Sequence, residues 1–464
     1  MARTTVLGID SSTQSTKALL VDAETGEVLD ARRAPHPEGT EVDPRAWLAA
    51  LDDAAGPFLE EVSAVAVGGQ QHGMVAFDEH DDVVRDALLW NDTRSADQAE
   101  ALVEEMGGPA ACAEELGSVL VASMTSTKLR WMAEHEPGNA ARTHRVLLPH
   151  DYLSWHLNED RSSFFTDRGD ASGTGYWSPR TGDWCPDLAR RALGHDVALP
   201  GLAPRPNAVM GRTVHGAALA AGTGDNMAAA LGVALGPGDV SLSIGTSGVA
   251  AMVSETRAAD PTGLVTGFAD ATGRYLPMAT TLNAARVLEF GARVLGVDHA
   301  GLAELALAAR PGAGGVALLP YLDGERTPNR PRARATLHGM STRTTREDVA
   351  RACVEGLLCS LADGMAALER ATGATVERVV LIGGGARSEA VRRLAPAVLG
   401  RPVLVPAPGE YVALGAARQA AWAFTGAGEP PAWALPGLQE YGAEPTPQVL
   451  EAYRELRDRT GTWA

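Results

Sequence analysis

Asp239-Val240-Ser241-Leu242-Ser243-Ile244-Gly245-Thr246-Ser247-Gly248 reads as an apolar strand, then a turn of glycine and small hydroxyl residues; a second strand returns from Val249. The head of the chain carries the same pattern. Val6 to Ile9 is a strand, Asp10-Ser11-Ser12-Thr13 is the turn, and another strand follows Lys17. The two turns lie about 235 positions apart, too far for a solenoid repeat. They fit a duplication giving two related α/β domains, with a nucleotide held between paired hairpin turns. On the hairpins alone, chance similarity is the alternative.

The rest of the chain alternates in the same manner. Residues 28–34 form a third strand, and Pro44 opens a helix with Trp47, Leu51 and Ala55 at helical spacing. Residues 62–67 are a buried strand, and residues 93–106 a polar helix capped by Asp92 or Thr93. In the second half a helix runs from Arg346 to Thr372, with Thr344 and Glu347 as a capping box and Gly373 as its stop. A strand over 376–382, a turn at Gly383-Gly384-Gly385, and a helix capped by Ser388 and ending at Leu399 come next. A strand from Val403 to Val405, a helix over 411–424, a Pro- and Gly-rich loop over 426–448 and an amphipathic helix over 449–459 complete the chain.

At 464 residues the chain exceeds what one core usually supports, so two domains are expected, 1–236 and 237–464. Its 45% hydrophobic and 21% charged residues are ordinary for a soluble globular protein. A formal net charge of −18 disfavours nucleic acid and anionic membranes as partners. It does not exclude a nucleotide, because glycine amides and a magnesium ion offset the global field locally. Cys112, Cys185, Cys353 and Cys359 show no metal-type spacing, which fits a reducing compartment. No leader follows Met1, and no apolar run approaches the ~20 residues that span a bilayer. A cytoplasmic protein is expected.

Chemistry concentrates in a few turns. Ala221-Gly222-Thr223-Gly224-Asp225-Asn226 joins a short apolar strand to an Ala-rich helix beginning near Met227. A carboxylate there suits a base that reaches a substrate hydroxyl while anionic groups approach nearby backbone N–H groups. In isolation, such an Asp is more often a plain N-cap. The first turn, from Asp10 to Lys17, offers N–H and hydroxyl donors to phosphate, a lysine charge, and a carboxylate for magnesium, held directly or through water. Taken alone, it reads equally as an Asx-type turn beside a surface lysine. The turn 245–248 offers a second set of donors.

Gly383-Gly384-Gly385-Ala386-Arg387-Ser388 lets a flat ring or phosphate lie close to backbone. Gln70-Gln71-His72-Gly73 can hydrogen-bond a polyol, although a lone His is more often structural. Trp90-Asn91-Asp92 walls the same site or is a core Trp before a cap. Residues 321–328 are a polar loop with Glu325 and Arg326. The P-loop, dinucleotide, GxSxG, HExxH and HRD patterns are all missing from the sequence.

Together these segments resemble the FGGY carbohydrate kinases, and among them most closely the xylulose kinases. The matching pieces include Gly8-Ile9-Asp10 with Thr13 and Lys17, Gly69-Gln70-Gln71-His72-Gly73, Leu147-Leu148-Pro149-His150-Asp151 and Asp170-Ala171-Ser172-Gly173-Thr174. Gly224-Asp225-Asn226, Ser243 to Gly248, Leu319 to Pro328, Ile382 to Ser388 and Ala413-Leu414-Gly415-Ala416-Ala417 follow in order. The resemblance implies an α/β fold of two actin-like (ribonuclease H-like) ATPase domains with a central cleft. It implies ATP and magnesium as cofactors, a small-molecule sugar as acceptor, and transfer of phosphate from ATP to D-xylulose. Asp225 falls on the base position. Gln71, His72, Trp90, Asp225 and Asn226 are the expected sugar contacts. Asp10, Thr13, Gln14, Ser15, Lys17, Gly245, Thr246, Gly384, Gly385 and Ser388 are the expected nucleotide set, with Asp10 at the metal. The sugar side is assigned to the first domain and the adenosine side to the second.

Four positions depart from the family pattern: Ser12, Thr223 and Ala335 replace glycines, and Gln71 stands where many relatives have Met. A kinase of another ketose, polyol or sugar acid, and a non-catalytic actin-like ATPase, are the rival readings. Oligomeric state is left open, a homodimer included.

Overall fold

Thr5–Ser11 is buried almost throughout, as a strand with neighbours on both edges must be. One edge pairs antiparallel with Ser15–Asp22, in register from Thr5 opposite Asp22 to Ser11 opposite Thr16. The other pairs parallel with Ala64–Gly69. In the computed structural model, which describes residues 3–461, the sheet extends from this hairpin in both directions. Val28–Pro35 adds antiparallel to Ser15–Asp22. Ala218–Ala220 adds parallel to Ala64–Gly69, and Val209–Arg212 pairs antiparallel beyond it.

Helices cover both faces. Arg45–Ala55 turns Trp47, Leu51, Ala54 and Ala55 onto one apolar layer with Leu7, Ile9, Val65 and Val67. Tyr411–Thr425 covers the other, where Ala413, Ala416, Ala417 and Ala420 meet Val6, Ala64 and Ala66. Alanine brings this helix very close: a Cβ on Gly8 would overlap the Ala413 carbonyl. These elements belong to one compact unit, built from the chain up to Ala234, Arg257–Leu276 and Glu410–Ala434.

The second unit comprises Leu235–Thr256, Pro277–Gly409 and the described chain from Leu435. Its central strand Asp239–Ile244 pairs antiparallel with Gly248–Met252, which pairs antiparallel with the Tyr275–Thr281 strand. On the opposite edge it pairs parallel with Arg378–Ile382, followed by Val403–Val405 parallel and Gln439–Tyr441 antiparallel. Strand for strand, the sequence of parallel and antiparallel pairings repeats that of the first unit. The duplicated hairpin is therefore a duplicated sheet. The long helix Arg346–Thr372 is buried along most of its length and ends at left-handed Gly373 (φ 70°).

Local expectations need correction where side chains compete for caps. The long helix is capped by Thr345 with Asp348 in a capping box, one position beyond the Thr344 and Glu347 expected. The helix expected over 93–106 is Ala96–Glu105 with Ser95 at its cap position. Asp92 instead accepts hydrogen bonds from the Arg94 backbone and guanidinium and from Thr40. Gln439–Tyr441, expected as loop, is an edge strand.

Candidate active site

The short strand Thr223–Gly224 pairs with the end of Ala64–Gly69, placing Thr223 opposite Gly68 and Gly224 opposite Gly69. The next residue begins a helix, Asp225–Gly232, with Gly224 at its cap position. Asp225 is thus the first helical residue and does not cap. One carboxylate oxygen accepts from the Asn226 backbone N–H and from the Asn226 side-chain amide, both at 2.8 Å. The other accepts no hydrogen bond among the described residues. Burial, then the charges of Asp10 and Asp170, push the carboxyl up to about 7. A carboxyl in that range is matched to proton transfer near neutrality.

The Asn226 amide also donates to Gln71 Oε1 at 2.9 Å, so Asp225, Asn226 and Gln71 form one chain of hydrogen bonds. Gln71 Nε2, buried, has no protein partner, and neither end of the Gln70 amide has one. His72 sits at positive φ (67°), and its Nδ1 lies 2.8 Å from the Gly173 carbonyl. A carbonyl only accepts, so Nδ1 carries a proton. A Cβ on Gly173 would lie 2.5 Å from the His72 ring, so glycine there lets the imidazole in.

Beneath the Asp225 turn lies a buried ionic cluster that sequence reasoning left without a role. His150 Nδ1 is 2.6 Å from Asp170, and Nε2 is 3.2 Å from Asp151. Burial opposes charge on His150, but Asp151 and Asp170 outweigh it and raise the imidazole to about 9. Asp167 accepts from the Thr223 hydroxyl at 2.8 Å and from the Gly169 and Asp170 backbones. The Thr223 departure thereby ties the Asp225 turn to the cluster. The sequence signal was His150 and Asp151 falling inside the apolar run from Leu147 to Leu153.

At the first hairpin, Ser12 Oγ donates to Asp10 Oδ1, giving the Ser12 departure a task in holding that carboxylate. Lys17 Nζ lies 3.2 Å from Asp10 and 2.6 Å from Glu410, a partner nothing in the sequence linked to it. Burial raises the Asp10 carboxyl above its ordinary range, against Lys17 and Ser12. Gln14 is exposed and Thr13 accessible, whereas Ser15 is turned into the sheet. Trp90, 46% exposed, donates its indole N–H to Thr13 Oγ1 at 2.9 Å, which places it against the hairpin turn.

In the second unit, the Ala284 and Ala285 N–H groups donate to the Thr246 and Gly245 carbonyls, and Thr246 is exposed. At the glycine turn the three glycines differ. Gly383 (φ 88°) and Gly385 let the chain press on Ile244; a Cβ on Gly385 would overlap that side chain. Gly384 alone is open, with nothing within 4 Å of a Cβ. Gly385 is thus accounted for by packing, not ligand access. Ser388 occupies the cap position of Glu389–Leu399 but makes no side-chain cap, contrary to expectation.

The sequence profile of the FGGY family of carbohydrate kinases matches the chain with its N-terminal domain over residues 5–243 and its C-terminal domain over 240–424. The chain belongs to the FGGY carbohydrate kinases. Among FGGY relatives, a xylulose kinase of Streptomyces coelicolor is 47% identical over 437 residues, covering 91% of this chain and 88% of that protein. The crystal structure of xylulose kinase from Bifidobacterium adolescentis matches at 47% identity and TM-score 0.92, covering 98% of this chain and 99% of that one. Plasmodium falciparum glycerol kinase with ADP matches at TM-score 0.86, covering 99% and 98% of the two chains; at 17% identity it bears on the fold alone. A kinase of this family takes its phosphoryl group from a nucleotide. Among the described residues, no helix is long and apolar enough to cross a membrane.

Proposed function

We propose that this FGGY kinase transfers the terminal phosphoryl group of ATP to the primary hydroxyl of D-xylulose, giving D-xylulose 5-phosphate and ADP. One observation carries the reading: Asp225, raised to about 7, is joined through Asn226 to Gln71, whose side-chain N–H donors are buried and unmatched. A buried donor left unpaired is costly, so a hydroxyl-bearing ligand is its natural complement. Xylulose as that ligand is supported by the relatives of that name at 47% identity.

The sugar hydroxyl attacks the γ-phosphorus. Its oxygen forms the new O–P bond while the bond to the β-bridging oxygen breaks, and ADP departs with the electron pair. The hydroxyl proton passes to the Asp225 oxygen that has no hydrogen bond in the protein. General-base assistance of this sort supplies about 10²–10⁴-fold. His72 Nε2 and the Gln71 amide orient the ketose. Lys17 and the donors near Thr13 and Gln14 meet phosphate oxygens in the first unit, and Gly245 and Thr246 do so in the second. Gly384 and Ser388 lie along the adenosine. Positioning and charge stabilisation supply the remaining acceleration.

The residues present fit magnesium. Asp10 is a buried carboxylate whose charge is the strongest ionic influence raising Asp225, so a cation beside it relieves both groups. An ion of this kind keeps waters and phosphates and needs one or two carboxylates, which Asp10 supplies. When bound, the ion neutralises developing phosphate charge. The four free cysteines support a cytoplasmic location.

Asp225→Ala is expected to abolish xylulose phosphorylation in a coupled ADP-release assay while ATP still binds by calorimetry. Near-normal turnover in that variant rules the base assignment out. A panel of xylulose, ribulose, glycerol and sugar acids separates the substrate from its rivals. ATP hydrolysis indifferent to every sugar would restore the non-catalytic reading.

A further inference from the structure

The loop after strand Ala317–Leu319 holds a cation with no anion. The Glu325 carboxylate beside it is fully engaged: it accepts from Leu282 N–H at 2.6 Å, Arg326 N–H at 2.7 Å and the Asn283 amide at 2.9 Å. The ion pair between Glu325 and the Arg326 guanidinium that the sequence allows does not form. Among the described residues the guanidinium has no hydrogen-bond or ion-pair partner. Burial alone lowers its affinity for the proton, and no carboxylate acts on it. In a protein of net charge −18, a half-buried arginine that has drawn no carboxylate to itself keeps its guanidinium available to an anion.

Its position is fixed by the same loop. Thr327 Oγ1 donates to the Thr280 carbonyl at 2.7 Å, and the Asn283 amide donates to the Gly324 carbonyl at 2.8 Å. Residues 324–327 therefore run along 280–283. The next two residues, Ala284 and Ala285, close onto the Thr246 and Gly245 carbonyls. Thr281 reinforces the point. It is 1% exposed, its hydroxyl has no partner, and it lies 2.7 Å from where a Cβ on Gly248 would stand. A partnerless hydroxyl thus lies against Gly248, and the loop that carries Arg326 runs along the strand end paired with that glycine.

We propose that Arg326 is an anion-contacting residue of the nucleotide site, its guanidinium receiving phosphate oxygens of the donor beside the 245–248 turn. The planar fork matches a phosphate in a way a lysine does not. The inference rests on the reading of 245–248 as a phosphate turn, and the test separates the two.

Binding of ATP, ADP and adenosine to the full chain is measured by calorimetry for the wild type, Arg326→Gln and Arg326→Lys. Arg326→Gln is expected to weaken ATP and ADP roughly 10- to 100-fold, as loss of a charge-assisted hydrogen bond does, and to leave adenosine unchanged. Arg326→Lys recovers part of the loss; if the Gln variant does not fold, the Lys variant is expected to sit several-fold below wild type for ATP alone. Affinities within about twofold of wild type, or an equal loss of adenosine, overturn the inference. Amide hydrogen exchange is read in parallel. Protection of 245–248 by ADP alongside unchanged ATP binding in Arg326→Gln defeats only the arginine. No protection there defeats the phosphate-turn reading and the inference with it.

Discussion

As the proposed base, Asp225 has two conflicting requirements. It must be ionised to accept a proton, yet burial, Asp10 and Asp170 all disfavour its charge and raise it to about 7. kcat/KM for the sugar is therefore expected to fall as pH drops below about 7, when the proton already occupies the site. The same shift acts on stability with a definite sign. The native carboxyl binds its proton more tightly than the unfolded one, so ionising it destabilises the fold as pH rises through about 7. Asp225→Asn should be inactive but unfold at a higher temperature than wild type at about pH 8, with the gap narrowing as pH falls toward about 4, in scanning calorimetry. His150 has the same slope against pH, but as a gain that is lost where Asp225 is a penalty that grows. Raised to about 9 by its aspartates, it adds stability that is fully present below about 6.5 and lost as pH rises through about 9. His150→Gln leaves Asp151 and Asp170 without their cation and should cost about 3–5 kcal/mol, measured by denaturant unfolding at neutral pH. At this scale, Asp225 could be singled out from its turn because glycines, a carboxylate and a helix start fall together. The bond from Gln71 to Asn226 could not, because it spans 155 positions and depends on how the sheet is threaded.

Elements were legible where burial or caps dominate. Asp239–Ile244 and Arg346–Thr372 have the ends expected, the first because apolar residues run unbroken to a turn, the second because a capping box and a C-terminal glycine bracket it. Arg168–Ala171, a helix of four residues, and the exposed edge strand Gln439–Tyr441 carry no such period, and neither was expected. Alanine and glycine spacing also concealed a close approach. A Cβ on Gly415 would overlap the Ala228 carbonyl, and one on Gly232 the Tyr411 carbonyl, so the helices Asp225–Gly232 and Tyr411–Thr425 touch backbone to backbone. The glycines thereby set the depth of the helix that presents Asp225. Gly415→Ala must push that helix outward. It should cost about 1–3 kcal/mol, as overpacking does. It should also lower kcat, because a base displaced by a fraction of an ångström loses its alignment. Stability lost with full kcat would show that Asp225 is positioned by the Thr223 strand alone.

For the whole molecule, the two hairpins announced the duplication because each is local in sequence and needs only a strand, a turn and a strand. Chain exchange between the units was not legible. Tyr411–Thr425 follows the second sheet in sequence yet seals the first, and only its close seat over Gly8, Ala64 and Ala66 decides that. Net charge poses a last question at this scale. A body of charge −18 must admit a polyanionic nucleotide against its own field, through local cations such as Lys17, which is itself paired with Asp10 and Glu410, and a bound metal ion. At about 0.01 M salt the screening length is about 30 Å, so the global negative field reaches an approaching nucleotide; at about 0.15 M it is about 8 Å, and only the local cations act. kcat/KM for ATP should therefore rise as salt is raised between those limits at fixed free magnesium, the reverse of a positively steered enzyme. The uncharged sugar feels no such field, so its kcat/KM, measured at saturating ATP, should stay flat over the same range. A decline for ATP across that interval would mean that the local cations outweigh the body of the protein even at long range.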